Sequence, residues 1–207
     1  MNITENRLNI LKQNTPTILS PNCWGGCTYH SLGLRFNSPL INMFEDHDDF
    51  LKILSRPEHY LNSELRFIRA NDEHPDHYPI AALDDVLLYM NHYKTFAEAK
   101  KAWDRRRERI DWDNLFVMFW DEDPERVKKF QSLPYKKKIC LVPWETSEEG
   151  LIPLPYKKKD FFKDWPFWKI TTYLATGRII QYDPVELLLT GKYIQIGDLD
   201  INWKEFR

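Results

Sequence analysis

The chain is short of several things that would decide its class at once. It has only three cysteines in 207 residues, an odd number, so no disulfide framework is read from it. That points to a reducing cytoplasm. No uninterrupted apolar run is long enough to span a bilayer. The first residues, Met1, Asn2, Ile3 and Thr4 among them, lack the apolar stretch of a secretory leader. Charge of either sign is not in excess: the net charge is −2, with a pI near 6.3. A dedicated nucleic-acid binder usually carries a strong basic bias, so no nucleic-acid partner is expected. A structural zinc site is not read either. Cys23, Cys27 and His30 share one helical face, but no second ligand pair follows them.

What remains is ordinary for a globular domain, 43% hydrophobic and 29% charged. Rings are plentiful, with 8 Trp, 10 Tyr and 12 Phe. Most large rings pack in cores; some, with an apolar body and a polar tip, line clefts.

Periodicity supplies the architecture. Strands are predicted at residues 17–20, 39–44, 65–68, 78–83, 86–90, 114–120 and 139–142. A helix is predicted at residues 4–13, with Ile10 and Leu11 inward. Another follows Gly25 and Gly26 to Leu32, with Gly33 as its stop. Asp46 reads as a helix cap before the apolar face Phe50, Leu51, Ile53 and Leu54. Thr95 and Glu98 form a capping box ahead of a long basic helix. Asp123-Pro124 and Asp183-Pro184 each open a further helix, the second stopped by Gly191. Strands alternating with helices predict an α/β fold: a layered, largely parallel or mixed sheet flanked by helices. The expected organisation is an α/β domain over residues 1–150, with a less regular C-terminal extension, 151–207, packed on it. A short repeat, Leu-Pro-Tyr-Lys-Lys-Lys, starts at Leu133 and again at Leu154. Its lysine triplets read first as solvated, and second as a peripheral contact at the inner face of a membrane.

The junction after the first strand carries the most chemistry. Gly25 and Gly26 permit a tight turn and close backbone approach. Cys23 stands at a helix N-terminus, where a thiolate is favoured. Cys23 or Ser20 is the candidate nucleophile, and His92, between a strand and a capped helix, is the candidate base. Asn22 and the amides of Gly25 and Gly26 are the candidate oxyanion donors. Arg106 shares a helix face with Trp103 and Ile110, so it is expected to point inward, with Arg105 and Arg107 more exposed. With Arg109 it is a candidate clamp for donor phosphates, the alternative being a salt bridge to Asp111, Asp113 or Asp121. Asp121 and Asp123 after the Phe119-Trp120 strand end are a weak glycosyltransferase-like motif. Ser20, Asn22, Cys23 and Gly25 are expected to line one cleft at the end of a central strand, and residues after three strands, at Ser20, Asn91 and Trp120, to converge on one rim.

Several blocks together resemble a known family. They are Asn22-Cys23-Trp24-Gly25-Gly26 with Tyr29, Leu32-Gly33-Leu34, Ser38-Pro39, Asp49-Phe50 and Tyr60-Leu61. Later blocks are Tyr78-Pro79-Ile80, Asn91-His92-Tyr93, Ala97 to Ala99, Trp103, Arg106, Arg109-Ile110 and Asn114-Leu115. Over residues 15–144 the chain resembles the uncharacterised bacterial "exopolysaccharide biosynthesis protein" family (domain of unknown function 1919). The resemblance implies an α/β fold and an association with capsule or surface-glycan synthesis. It implies no established reaction and no established catalytic residues. The combined expectation is a transferase in surface-polysaccharide assembly, such as an acyltransferase to a sugar hydroxyl, using a nucleotide-activated or acyl donor and a glycan acceptor. The alternative is a non-catalytic glycan- or nucleotide-binding accessory protein of the same pathway.

Overall fold

The computed structural model describes residues 3–201 other than 76, with side chains from 5 to 197 other than 180. In chain order its elements are α1 (Ile3–Gln13), β1 (Thr17–Leu19), α2 (Trp24–Ser31), α3 (His47–Ser55), α4 (Pro57–Asn62), β2 (Leu65–Ala70), β3 (Pro79–Leu83) and β4 (Val86–Tyr89). There follow α5 (Phe96–Arg107), β5 (Leu115–Trp120), α6 (Pro124–Gln131), β6 (Lys138–Val142) and β7 (Leu151–Pro153). A short 3-10 turn at Tyr156–Lys158 precedes α7 (Phe167–Ala175), β8 (Ile179–Tyr182), α8 (Pro184–Thr190) and β9 (Gln195–Ile201).

The central sheet has four strands in the order β1-β5-β6-β7, every pair parallel. The strand residues explain why it is buried on both faces. Side chains alternate along a strand. Phe116 and Met118 therefore join Ile18, Ile139, Leu141 and Ile152 in one apolar cluster. Val117 and Phe119 join Leu19, Cys140 and Val142 in the other. The first cluster is completed by residues of α1, α2, α7 and α8. The second is completed by α3, α4, α5, α6 and a three-stranded antiparallel sheet, β2-β3-β4. A β8-β9 hairpin forms a third sheet. The expected α/β class, with a parallel sheet between helices, is what the chain adopts.

Several local expectations hold. Thr95 Oγ1 accepts from the Glu98 amide at 3.2 Å, capping α5. Asp123 and Asp183 cap α6 and α8 in the same way, and Gly191 ends α8 in the left-handed region at φ 75°.

Others are corrected. Residues 39–44 form no strand; they pass between the two apolar clusters, with Ile41 in one and Leu40 and Met43 in the other. Asn42 at φ 67° breaks the extended run, and only Phe44 makes a bridge, to Tyr89. Ile10 is exposed while Leu11 is buried. Neighbours on a helix point about 100° apart, and Leu8 takes the second inward place. β1 is an edge strand, not a central one, because among the described residues it pairs with β5 alone. In the first lysine triplet only Lys136 is exposed. Lys137 donates to Asn114 Oδ1 at 3.0 Å, and Lys138 donates to the carbonyls of Gln131 and Leu133.

Candidate active site

Parallel strands place their carboxyl ends on one rim, and loops leaving that rim are where such sheets hold ligands. β1 and β5 end there, and the loop after β4 reaches the same place. The result is a cleft of about 1100 Å³ whose walls include Asn22 and Cys23 after β1, Trp120 after β5, and Asn91 and His92 after β4. The segment 44–49 and the α7 residues Trp168 and Thr172 close its other sides. The three segments expected to converge do so.

Within the cleft the Cys23 Sγ lies 3.3 Å from His92 Nε2, although the two residues are 69 apart in the chain. The expected nucleophile and base are thus in contact. The thiol is not pre-ionised. Burial pushes its pKa up to about 11, with Cys27 and Glu45 adding to the effect. Desolvation outweighs whatever the start of α2 offers a thiolate.

Ser20 and Gly25 stand behind the cleft and do not line it. Ser20 is buried; its Oγ donates to the Asn22 carbonyl at 3.1 Å and accepts from the Gly25 amide at 3.0 Å. Asn22 Oδ1 accepts from the Trp24 amide at 3.0 Å, and its Nδ2 donates to Thr171 Oγ1 at 3.2 Å. Ser20 and Asn22 therefore satisfy two of the orphan amides that open α2, those of Gly25 and Trp24. This corrects two assignments: Ser20 has no path to a substrate as nucleophile, and the Gly25 amide is not free as an oxyanion donor. Gly26 faces a second cavity, of about 870 Å³, which shares Cys23, Cys27 and His92 with the first and also reaches His30.

Gly25 is required by close approach. A Cβ there would sit 2.8 Å from Ser20 Oγ and 3.1 Å from Ile18 Cγ2. Ser20 Oγ is tied by two hydrogen bonds and cannot swing away. Gly25→Ala is expected to cost about 1–3 kcal/mol, measured as a fall in urea midpoint. An unchanged midpoint would show that the turn relaxes freely.

Arg106 points inward, with Arg105 exposed and Arg107 between, as its spacing from Trp103 requires. Its role differs from a phosphate clamp. Nη1 donates to Tyr93 Oη at 2.6 Å and to the Ile41 carbonyl at 3.3 Å, and the guanidinium lies over the Phe36 ring. Arg109 donates to the Phe36 carbonyl at 3.2 Å. Neither lines the cleft. Arg106 from α5 and Arg109 just after it pin the 36–41 segment, and none of the three expected carboxylates, Asp111, Asp113 and Asp121, is their hydrogen-bond partner.

A second constellation was not read from the sequence. Asp121 is buried, and its Oδ2 lies 2.8 Å from His47 Nδ1. Arg126 donates to both carboxylate oxygens, at 2.5 and 2.9 Å, and the Asp123 amide donates to Oδ1 at 2.8 Å. Burial alone would raise this carboxyl; hydrogen bonds from His47, Arg126 and Asp123 overcome that and hold it well below the usual carboxylate range. With its lone pairs filled, Asp121 has none left for a metal, and the glycosyltransferase-like role for Asp121 and Asp123 loses its physical basis. An ionised carboxylate only accepts, so His47 carries its proton on Nδ1. That leaves Nε2 as the ring nitrogen turned away from Asp121, on a residue that lines the cleft. Trp120 and Phe119 pack edge-on against the ring at 4.3 and 5.2 Å between centroids and hold its plane.

Fold and site together define an α/β protein with a cysteine–histidine pair at the carboxyl rim of a parallel sheet. The family model described as "Domain of unknown function (DUF1919)" matches residues 1–159, most of the chain, and the chain belongs to that family. An uncharacterized protein of Haemophilus influenzae is 34% identical over 126 residues, which is 59% of this chain. The match spans 59% of that protein's own length. Cys23, His47, His92 and Asp121 fall within the family match, whereas Trp168 and Thr172 lie beyond it. Among the described residues, no helix is long and apolar enough to cross a membrane.

Proposed function

We propose that this protein is an acyl-transfer enzyme, with Cys23 as nucleophile, His92 as its base and a glycan as acceptor. The observation that carries the reading is the 3.3 Å contact between Cys23 Sγ and His92 Nε2 in an open cleft. Because the thiol is protonated near neutral pH, His92 takes the proton as the S–C bond to the donor carbonyl forms. The donor's leaving group departs with that proton, leaving a thioester on Cys23. An acceptor hydroxyl then attacks the thioester and gives its proton to His47 Nε2, which Asp121 orients. The C–S bond breaks, the departing thiolate takes a proton from water, and His47 gives the acceptor's proton back to that water. A place in capsule or exopolysaccharide assembly is the pathway suggested by the family resemblance. The nucleotide-activated donor is the less favoured choice, since Arg106 and Arg109 are engaged elsewhere and Arg126 is committed to Asp121.

A glycan-binding role without catalysis is the second reading, favoured by the pushed-up thiol. Two probes separate them. Alkylation of Cys23 by iodoacetamide, followed by mass spectrometry, requires the thiolate. Its rate is expected to climb about tenfold per pH unit until pH approaches the thiol's raised value. Acylation by p-nitrophenyl acetate near pH 7, seen as an acetyl mass on Cys23, is expected to need His92. It should fall by about 10²-fold or more in His92→Ala, while the alkylation profile keeps its shape. A Cys23 that takes no acetyl group would leave the binding role standing.

A further inference from the structure

The cleft holds three hydrogen-bond acceptors with no donor. Both carboxyl oxygens of Glu45 and the Oδ1 of Asn91 are buried at the cleft wall, and no other residue donates to them. Glu45 is only 3% exposed, and both residues line the cleft. A buried carboxyl without a donor is a standing cost to the fold. Burial, with Asp49 and Asp46 adding to it and only the group's own backbone amide opposing it, drives this group well above the usual carboxylate range. Asp46, Asp48 and Asp49 line the same wall. Asp49 is answered by Lys52 and by the Leu87 amide. The basic lining residue, Arg126, is held by Asp121 and Asp123. The wall is therefore short of donors and of positive charge.

We propose that this cleft binds a primary ammonium group, with Glu45 and Asn91 supplying acceptors for its three N–H donors. An ammonium beside Glu45 offsets the burial that keeps it protonated and favours its ionised form, and such charged pairs bond roughly twice as strongly as neutral ones. The rest of the wall suits a sugar carrying that amine. Trp120, Trp168 and Phe44 present rings to the cleft, and the Trp120 Nε1 is another buried group without a partner, here a donor for a ring or hydroxyl oxygen. A hexosamine with a free amino group, alone or within a glycan, combines these features. A phosphate-bearing ligand meets the opposite conditions: negative charge on the wall and no uncommitted cation among the lining residues. The inference rests on the acyl-transfer reading only in making this amino sugar the acceptor; binding itself needs no chemistry at Cys23.

The test uses the full chain and calorimetric titration with D-glucosamine, N-acetyl-D-glucosamine and D-glucose. Glucosamine is expected to bind at least about tenfold more tightly than the other two, a preference that weakens with added salt. Glu45→Gln should remove most of that preference, bringing glucosamine down toward the affinity of glucose. Should Glu45→Gln fail to fold, Asn91→Leu removes an acceptor at a less buried position and should weaken glucosamine by several-fold. Equal binding of the three sugars, or a preference intact in the variants, would overturn the ammonium site and mark Glu45 as a neutral buried acid. Acylation of Cys23 in the same protein keeps the two claims apart. Glucosamine bound normally by a protein whose Cys23 never takes an acyl group would sink the acyl-transfer reading and leave the amine site standing. Acylation of Cys23 without amine preference would do the reverse.

Discussion

Cys23→Ser is expected to lower turnover of an activated acyl ester by about 10³-fold or more, while shifting unfolding stability by less than about 1 kcal/mol. The side chain is half-buried rather than part of a tight core, so oxygen for sulfur leaves packing almost intact. Loss of the nucleophile, by contrast, removes the covalent intermediate. His92→Ala should lose nearly as much, and the double variant little more than either single one, because the two side chains act as a unit. Cys27→Ser is the control: the neighbouring thiol is changed in the same way but has no histidine contact, and activity should persist. Cys23→Ser retaining a tenth or more of the activity, with Cys27→Ser no better, would place the chemistry elsewhere.

The second large effect is on stability. Asp121→Asn is expected to cost about 2–3 kcal/mol at neutral pH. The carboxylate is buried, and its replacement leaves the Arg126 guanidinium with Asp123 alone. The figure stays at the low end because Arg126 is about a third exposed, and solvent screens it. The sign of the pH dependence follows from the depressed Asp121 value. Its contribution is fully present above the unfolded carboxyl value of about 4 and is lost progressively as pH falls from there through the depressed folded value. Urea midpoints should therefore separate wild type from Asp121→Asn at pH 7 and draw together toward pH 3. A gap that stays constant across that range would mean that packing, not charge, carries the effect. The same variant removes the acceptor that sets the His47 tautomer, so acceptor transfer should slow while acylation of Cys23 continues.

Much of the site was legible because its parts lie in local patterns. The turn at Gly25 and Gly26 marks the β1–α2 junction, and the step from β4 to the capped α5 places His92 at a strand end. That Arg106 faces inward follows from helical spacing alone. Its partners do not: with Trp103 read as the buried side, Arg106 was expected to meet a carboxylate or phosphate, and it meets the Tyr93 phenol and the Ile41 carbonyl instead. Ser20 looked like a nucleophile because hydroxyls at glycine turns often are; its two bonds inside the turn show a brace. His47 went unread because Asp46, Asp48 and Asp49 around it already explain themselves as the acidic start of a helix. Glu45 left no signal at all, since nothing in the run Phe44-Glu45-Asp46 distinguishes a sealed carboxyl from a wet one.

By itself the sequence determined what short-range periodicity and capping encode: the α/β class, most of the strands and caps, the glycine junction and the inward turn of Arg106. These depend on backbone geometry repeating over a few residues. Only the tertiary structure decided that β1 is an edge strand, that residues 39–44 stay irregular, that Cys23 touches His92, that Asp121 is saturated by His47 and Arg126, and that Glu45 is walled off without a donor. Those outcomes turn on contacts between residues far apart in the chain, and on how much water each polar group loses when the chain closes over it. Desolvation is a property of the folded neighbourhood rather than of any residue. That is why Cys23, placed at a helix start that favours a thiolate, has its pKa pushed up to about 11.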